Sequence, residues 1–436
     1  VGYGTQKKVN LTGAVSSVST KDLTKRQVGS TSLALQGLIP GVSIVQRSGQ
    51  PGADGGTVSI RGKTTLGNND ALVLVDGVEM SLNNIDPSLI ESISVLKDAS
   101  SSSIYGSRAA NGVILVTTKR ADAEKFSISY NGYVGFQKPT DLPEMVNALD
   151  HMDLLNIAYK NVGMSPLYSD SYIEEYRREM VDNPDKYPNT DWLDLTLKNS
   201  GLVQNHFVTL SGGGKKIKTI ASLGYFNQEG IIPNSDYNRY TFRVNTDMNF
   251  SEKIAVKVDA NILLSKTNSP ARGAGSAFHW ATRIPANQAG VFSSGQWGEG
   301  WNGDNPIAFT KDGGLKTQED PSVILNFDLN YKPTDWLRLQ AQYAPKYVVN
   351  YNSVYTKSIQ TYYYDGSPAF TAPQKSTLTN QTNRNFKDLL TLTANFEKEI
   401  IRGHSLKILL GYQQESYKHI DHQGYREVFI FPDYPV

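Results

Sequence analysis

From Phe126 onward the chain alternates. Arg239 to Phe250 reads RYTFRVNTDMNF, with Tyr240, Phe242, Val244, Met248 and Phe250 on one face and Arg239, Arg243, Asn245, Asp247 and Asn249 on the other. Lys253 to Leu264 repeats the pattern, setting Ile254, Val256, Val258, Ala260, Ile262 and Leu264 against Lys253, Lys257, Asp259 and Asn261. Val323 to Tyr331 does so again, opposing Val323, Leu325, Phe327, Leu329 and Tyr331 to Asn326, Asp328 and Asn330. A period of two puts successive side chains on opposite faces of a β-strand. Further strands are predicted near 126–136, 217–227, 335–347, 387–398 and 405–417. Each is close to the ~9–11 residues that cross a bilayer as a tilted strand, whereas strands of soluble sandwiches usually run ~5–6 residues. Short turns at Ser251-Glu252 and Pro333-Thr334 alternate with long connections at 138–200 and 267–321. That asymmetry belongs to outer-membrane β-barrels.

The first 122 residues follow another rule. Between Val58 and Lys119, VSIRG is a short apolar run closed by Gly62. Ala71 to Val75 is a buried-type strand ending in an Asp76-Gly77 turn. Pro87 opens a short helical segment, where its missing N–H costs nothing. Ile93 to Asp98 and Gly112 to Lys119 are two more strands, separated by a Tyr105-Gly106 turn. These four strands are expected to form one small sheet. Ahead of them, Leu11 to Val18 and Val42 to Val45 read as strands. Asp22 to Leu38 has helical spacing, with a helix ending at Gly37.

Composition changes this picture in only a few places. The 436 residues carry 43 basic and 42 acidic side chains, so no strong field draws nucleic acid or an anionic surface. The chain has no Cys, which removes thiolate metal sites, cysteine nucleophiles and disulfides. Mean hydropathy is −0.39, and no run approaches the ~18 apolar residues of a membrane helix. Those facts alone would suggest a soluble protein. A membrane β-barrel gives the same values, because its hydrophobicity sits in every second residue. The 24 Tyr and 37 Gly suit interfacial aromatic girdles and tight turns.

Eight short motifs occur in fixed order: Val1-Gly-Tyr-Gly-Thr-Gln-Lys-Lys8, Leu35-Gln-Gly37, Pro40-Gly-Val42, Ser48-Gly49 with Pro51-Gly52, Ile60-Arg-Gly62, Val75-Asp-Gly-Val78, Val95-Leu-Lys-Asp-Ala99 and Ile104-Tyr-Gly-Ser-Arg-Ala-Ala-Asn-Gly-Val-Ile-Leu-Val-Thr-Thr-Lys119. In that order they resemble the plug domain of TonB-dependent outer-membrane transporters, and more narrowly the SusC-like branch that imports nutrients in Bacteroidetes. The resemblance implies a membrane β-barrel, antiparallel, with an N-terminal α/β plug domain inside its lumen. It divides the chain into a partial TonB-coupling segment (1–10), a plug (11–122) and the N-terminal part of a transmembrane barrel (123–436). Such barrels close about 22 strands, and roughly ten are read here, about half a barrel. Two unpaired edges are not tolerated in lipid, so the expectation is a piece of a longer chain or of a divided gene product.

What the resemblance implies about partners follows. TonB would couple through Val1, Gly2, Tyr3 and Gly4 by strand addition. A SusD-like surface lipoprotein would act as a lid, with outer-membrane lipid around the wall. The cargo would be a nutrient, an oligosaccharide before a peptide. Siderophore or cobalamin uptake fits the motifs at 1–8 and 104–119 less well. A surface glycan-binding adhesin would explain the strands and leave the plug unexplained.

Individual residues carry less. Arg61, Gly62, Asp76, Gly77, Tyr105, Gly106 and Arg108 are plug-motif positions with structural or gating roles. Arg47, Arg61 and Arg108 invite a ligand, but a plugged polar lumen needs arginines paired with plug and wall, and that is the expected use. Asp54 and Asp76 fit no calcium-loop spacing. In the 267–321 connection, Trp297, Trp301, Asn302 and Asp304 set aromatic faces beside amide and carboxylate groups, a combination that suits sugar or peptide capture. The other reading has the tryptophans folding the loop on itself. Tyr362, Tyr363 and Tyr364 read as a girdle or loop-base cluster. No His–Ser–Asp set assembles, and His419 and His422 would face opposite sides of a strand. Gly212 to Lys216 lacks the end of a phosphate loop and reads as a turn. No catalytic residue, metal or cofactor is expected.

Overall fold

The computed structural model describes residues 15–60, 62, 69–98, 103–122, 125–401 and 404–429. The coupling positions Val1 to Gly4 and the plug position Arg61 lie outside them. The N-terminal unit contains strands β1 (Val15–Ser19), β2 (Val42–Gln46), β3 (Gly56–Ile60), β4 (Leu72–Val75), β5 (Val78–Glu79), β6 (Ile90–Leu96) and β7 (Val113–Thr118), with single-turn helices α1 (Thr20–Leu23) and α2 (Thr31–Ala34). Its main sheet runs in the order β1-β6-β7-β4-β5, with β4 and β7 parallel. Val75, Ile93, Val95, Ile114 and Val116 enter one buried cluster, and Leu72, Leu74, Leu96 and Val113 a second. Apolar groups on both faces explain why LVLV and VILV are continuous apolar runs.

Two expectations about this unit need correction. The VSIRG strand is not in the main sheet. β3 pairs with β2 in a ribbon of its own, Ile44 opposite Val58, as sequence neighbours joined by a Pro-Gly loop commonly do. The places in the main sheet go to β1 and β5. β5 is recruited by the Asp76-Gly77 turn, where φ is +48° and +86°, the two-residue turn whose twist matches a hairpin. The helical spacing of 22–38 resolves into two separate turns, α1 and α2, with Ser30 capping Leu33 N at 3.4 Å.

The second unit is one antiparallel sheet: β8 (Ser127–Gln137), β9 (Gly201–Gly213), β10 (Ile217–Glu229), β11 (Asp236–Asn249), β12 (Ile254–Pro270), β13 (Gly314–Glu319), β14 (Ser322–Thr334), β15 (Leu337–Thr356), β18 (Thr377–Ile401) and β19 (His404–Glu427). A separate hairpin, β16 (Ile359–Tyr362) with β17 (Pro368–Ala372), holds Tyr362 and, in its turn, Tyr363 and Tyr364. β13 and β14 each pair with β12 and β15, so they are two halves of one strand interrupted at Asp320-Pro321. A proline has no ladder N–H to give. The pattern missed β9 and β13, whose apolar positions are too few, and the turn placed at Pro333-Thr334 falls at 335–336 instead.

The faces of this sheet are sorted as the alternation demands. Tyr240 and Phe242 are 52% and 42% exposed, while Arg239, Arg243 and Asn245 on the other face are buried against the plug. A row of rings crosses four strands on the outer face: Tyr130 to His206 (6.2 Å), His206 to Tyr225 (6.3 Å) and Tyr225 to Tyr240 (5.1 Å). One rung beyond, polar bonds take over, Asn227 to Asn238 at 3.0 Å and Asn268 to Asp236 at 3.1 Å. A second aromatic band contains exposed Phe250, Tyr331 and Trp336, with Trp336 and Phe396 5.2 Å apart. Ten residues separate Tyr240 from Phe250. At ~3.3 Å per residue and a tilt of about 40°, that is a height of roughly 25 Å, the apolar band of an outer-membrane wall.

Long connections gather at one end of the sheet (138–200, 271–313 and 357–376) and short ones at the other (214–216, 250–253 and 335–336). The long ones pack together. α3 (Ala148–Asn161), α4 (Asp170–Glu179), α5 (Trp192–Thr196), α6 (Ala274–Ala281) and α7 (Pro306–Lys311) bury Met152, Tyr176, Trp192, Ala277, Ile284 and Ile307 in shared cores. Trp192 donates its indole N–H to Pro285 O at 3.1 Å, tying one connection to the next.

Candidate functional site

Among the described residues, three polar zones with charged groups and one apolar zone stand out where the plug touches the wall, and Asn131 of β8 also donates to Ser88 at 3.0 Å. The apolar contact is small: Phe207, Ile324, Ala344 and Leu389 of the wall join the plug's main buried cluster. The first polar zone lies toward the short-turn end. Arg120, just past β7, forks onto Asp259 at 2.5 and 2.9 Å and reaches Asp247 at 3.2 Å. Asp76, at the tip of the β4–β5 turn, accepts from Thr118 N at 3.1 Å, Thr118 Oγ1 at 2.6 Å and Arg243 Nη2 at 2.7 Å. Asn245 donates to Thr118 Oγ1 at 2.9 Å, and Gln342 donates to Asn326 Oδ1 at 2.8 Å and to Asp76 O at 3.3 Å. Three carboxylates thus share two guanidinium groups, with Lys218 3.8 Å from Asp247. Burial opposes the charge on Arg120, but the bond to Asp259 and the charges of Asp259, Asp76 and Asp247 hold its pKa above the ordinary arginine value. Geometry is tight here: a Cβ on Gly77 would stand 3.1 Å from the Gln342 amide.

The second zone joins the other flank of the plug to β15, β18 and β19. Arg108 donates to Glu415 at 2.6 Å and Glu79 at 3.5 Å, and Lys387 pairs with Glu79 at 2.8 Å and Glu415 at 2.7 Å. Burial raises the Glu79 carboxyl, yet the bond to Lys387 and the charges of Lys387, Arg108 and Lys346 more than offset it and hold Glu79 below its usual range. In the third zone, Gln228 donates to Asp54 at 3.2 Å and accepts from Gly52 N at 3.4 Å, and Arg239 donates to Asn83 O at 2.8 Å. Burial pushes the Asp54 carboxyl above its usual range.

Between the plug and the wall, toward the long-connection end, lies a groove of about 530 Å³. Plug residues 50–53, Ser81 and Asn84 form one side. The other is the inner face of β11 to β15, where Tyr237, Ser265, Gln318, Asp320 and Asn350 stand among others. Asp320 is tied down by Gln318 at 2.8 Å and Asn350 at 2.8 Å. The groove was not visible to sequence reasoning, since its residues come from two plug loops and five strand segments.

The predicted positions distribute as follows. Asp76 and Gly77 stand in the first plug–wall zone and Arg108 in the second, on the other flank. Tyr105 is buried in the plug's second cluster, and Gly106 and Gly62 are exposed with φ of +65° and +82°. The four loop candidates separate into pairs. Trp297 donates its indole N–H to Asp312 at 3.0 Å and packs on the loop cores, and Asp304 is paired with Arg272 at 2.5 Å. Trp301 is 46% exposed, and Asn302 beside it is exposed in a left-handed conformation, φ +52°. Asn305 pins the segment, accepting from Ile307 N and Ala308 N and donating to Gly290 O and Gly298 O. His419 and His422 are both on β19, three residues apart and so on opposite faces. Among the described residues no group of three His, Asp or Glu could hold a metal ion.

A plug seated on the inner face of an outward-apolar antiparallel sheet defines the class: a plugged β-barrel receptor of the outer-membrane type. Residues 7–113 match the TonB-dependent receptor plug domain. The TonB-dependent receptor P26 of Formosa agariphila is 34% identical over 369 residues, covering 82% of this chain and 36% of the relative. The TonB-dependent receptor SusC of Bacteroides thetaiotaomicron is 32% identical over 287 residues, covering 63% and 27%. The RagAB peptide importer in its open-open state shares the fold, with a TM-score of 0.80 at 23% identity, over 100% of this chain and 50% of that one. The chain carries a TonB-dependent receptor plug and is a relative of the SusC-type receptors. It spans about a third of the length of the curated relatives it matches.

Proposed function

We propose that this chain is the plug and adjoining wall of an energy-coupled importer in the bacterial outer membrane, and that it moves a nutrient, an oligosaccharide first, without breaking a bond in it. The observation that carries this reading is the groove between plug and wall. It opens toward the long connections, and the plug beneath it is held mainly by hydrogen bonds and ion pairs. Such contacts can be exchanged for water one at a time, whereas a continuous apolar interface would resist displacement as a unit. Cargo held in the groove touches both bodies, so moving the plug alters its site.

In this reading TonB engages residues 1–10, Val1 to Gly4 foremost, and pulls on the strand that follows. A SusD-like lipoprotein covers the layer of long connections, where Trp301 and Asn302 are open to a partner or to cargo. Asp76, Gly77 and Arg108 act as gating residues by holding the plug to the wall. Peptide import is the second reading, favoured by the shared fold with the RagAB peptide importer; at 23% identity that likeness speaks for the fold alone.

The test is deletion of residues 1–8 from the full protein in its own outer membrane. Uptake of labelled oligosaccharide should be lost while binding at the cell surface is retained. Uptake that survives the deletion would remove the energy-coupled importer reading.

A further inference from the structure

The groove contains two lysines, and neither is in an ion pair among the described residues. Lys316 on β13 has no carboxylate partner among the described residues. Lys346 on β15 has a long bond, 3.4 Å, to the Glu79 backbone carbonyl and senses the Glu79 carboxylate only from beyond ion-pair distance. The Glu79 carboxylate is already shared between Lys387 and Arg108. The groove's own acid, Asp320, accepts from the neutral amides of Gln318 and Asn350 and pairs with neither lysine, so the lining sets two basic side chains against one acidic one. In the first two polar zones cations are matched to acids at 2.5–3.8 Å, whereas Arg239 in the third gives its bond to the Asn83 carbonyl. Half-buried ammonium groups left over in such a lumen are costly unless an anion or water completes them.

Position adds a second constraint. Lys316 lies opposite Val354, eight residues beyond Lys346 along β15. At ~3.3 Å per residue, the two side chains leave the wall about 26 Å apart. One sugar or amino acid cannot bridge that span. Between the lysines the lining is mostly hydroxyl and amide, including Ser265, Thr267, Gln318, Ser322 and Asn350, with Tyr237 the one aromatic ring. Such a surface offers hydrogen bonds to hydroxyls along its length and few pockets for apolar side chains.

We infer that the groove selects an extended, acidic oligosaccharide, one bearing carboxylate or sulfate groups, with Lys346 holding an anionic group at the plug end and Lys316 one at the mouth. This rests on the import reading for the use of the groove, but its physical content is a binding preference that can be measured alone. Lys346 and Lys316 are then the residues that set specificity, and the neutral wall between them supplies affinity common to many sugars.

The test uses the full protein, purified from outer membranes in detergent, with three probes in titration calorimetry: a galacturonate hexamer, neutral cellohexaose and hexaglutamate. At low salt the galacturonate should bind about tenfold or more tightly than cellohexaose, and the ratio should fall toward one at about 0.5 M salt. Lys316→Gln and Lys346→Gln should each reduce galacturonate binding severalfold and leave cellohexaose unchanged, and Lys→Arg should restore the preference. Equal binding of the two saccharides, or indifference of both variants, overturns the inference, as does failure of every probe to bind. Hexaglutamate binding as tightly as galacturonate overturns the saccharide assignment. A neutral saccharide taken up in a TonB-dependent way with no anion preference leaves the import reading intact and removes only this one. Uptake independent of residues 1–8 does the reverse.

Discussion

Arg120 shows what a single side chain does at the seam between plug and wall. It satisfies both oxygens of Asp259 and one of Asp247, and Asp259 is 5% exposed. Arg120→Ala leaves Asp259 without its ion-pair partner while Asp247 keeps Lys218 at 3.8 Å, and breaking a buried pair by removing one partner costs about 3–5 kcal/mol. The melting temperature of the full protein should fall, and adding Asp259→Asn should recover part of the loss because the orphaned charge goes with it. Gly52 tests the same seam sterically. Its φ is +73° and a Cβ would stand 2.6 Å from the Tyr237 ring. Gly52→Ala should therefore lift the 50–53 loop from the groove, detected as faster proteolysis of that loop. Trp297 and Trp301 look alike in sequence and differ in use. Which one is free was decided by Asp312, a residue 15 positions away from Trp297.

Among the elements, the β4–β5 hairpin has the most consequences. Its turn presents Asp76 to Arg243, and its second strand presents Glu79 to Lys387 and Arg108, so one hairpin reaches both flanks of the wall. Because the folded pKa of Glu79 is depressed, its contribution is present above the unfolded carboxylate pKa and is lost as pH falls through the lowered folded value. The stability difference between the native protein and Glu79→Gln should be constant near neutrality and disappear as pH falls through the lowered folded value, read from melting curves across pH. The wall strands make a separate prediction. Trp placed at Tyr240 should be quenched best by lipids brominated near the headgroup, and Trp at Val244 by lipids brominated deeper in the chain. Equal quenching at both positions would mean that the ring row does not mark the membrane boundary.

At the scale of the whole molecule, two bodies with opposite rules share one interface. The plug is apolar inside, while the wall is apolar outside and polar toward the plug. Their contact is therefore one of the few places where Arg, Asp and Asn are buried together. The sheet has β8 and β19 at its ends, and the layer of long connections lies at one end of the strands, with the groove next to it and the short turns at the other end. That polarity sets the groove toward the long-connection end and the Arg120–Asp259 contact toward the short-turn end.

Most wall strands, their faces and the plug motifs could be read from residue order, because alternation and turn chemistry are local. Tyr240 and Phe242 declared an apolar face, and Asp76-Gly77 declared a turn, before any fold was known; that the turn closes a hairpin with β5 came only from the structure. The pattern failed where strands lacked apolar contrast, as in β13, or where helical spacing was shared by two separate turns, as at 22–38. Tertiary structure alone decided which charges meet. Arg120 and Asp259 are 139 positions apart, and Arg108 and Glu415 are 307 apart. It also decided which lysines are left over. Neutrality of the whole chain, 43 basic against 42 acidic residues, hides the local excess at Lys316 and Lys346, because Coulomb energy depends on distances that only folding sets.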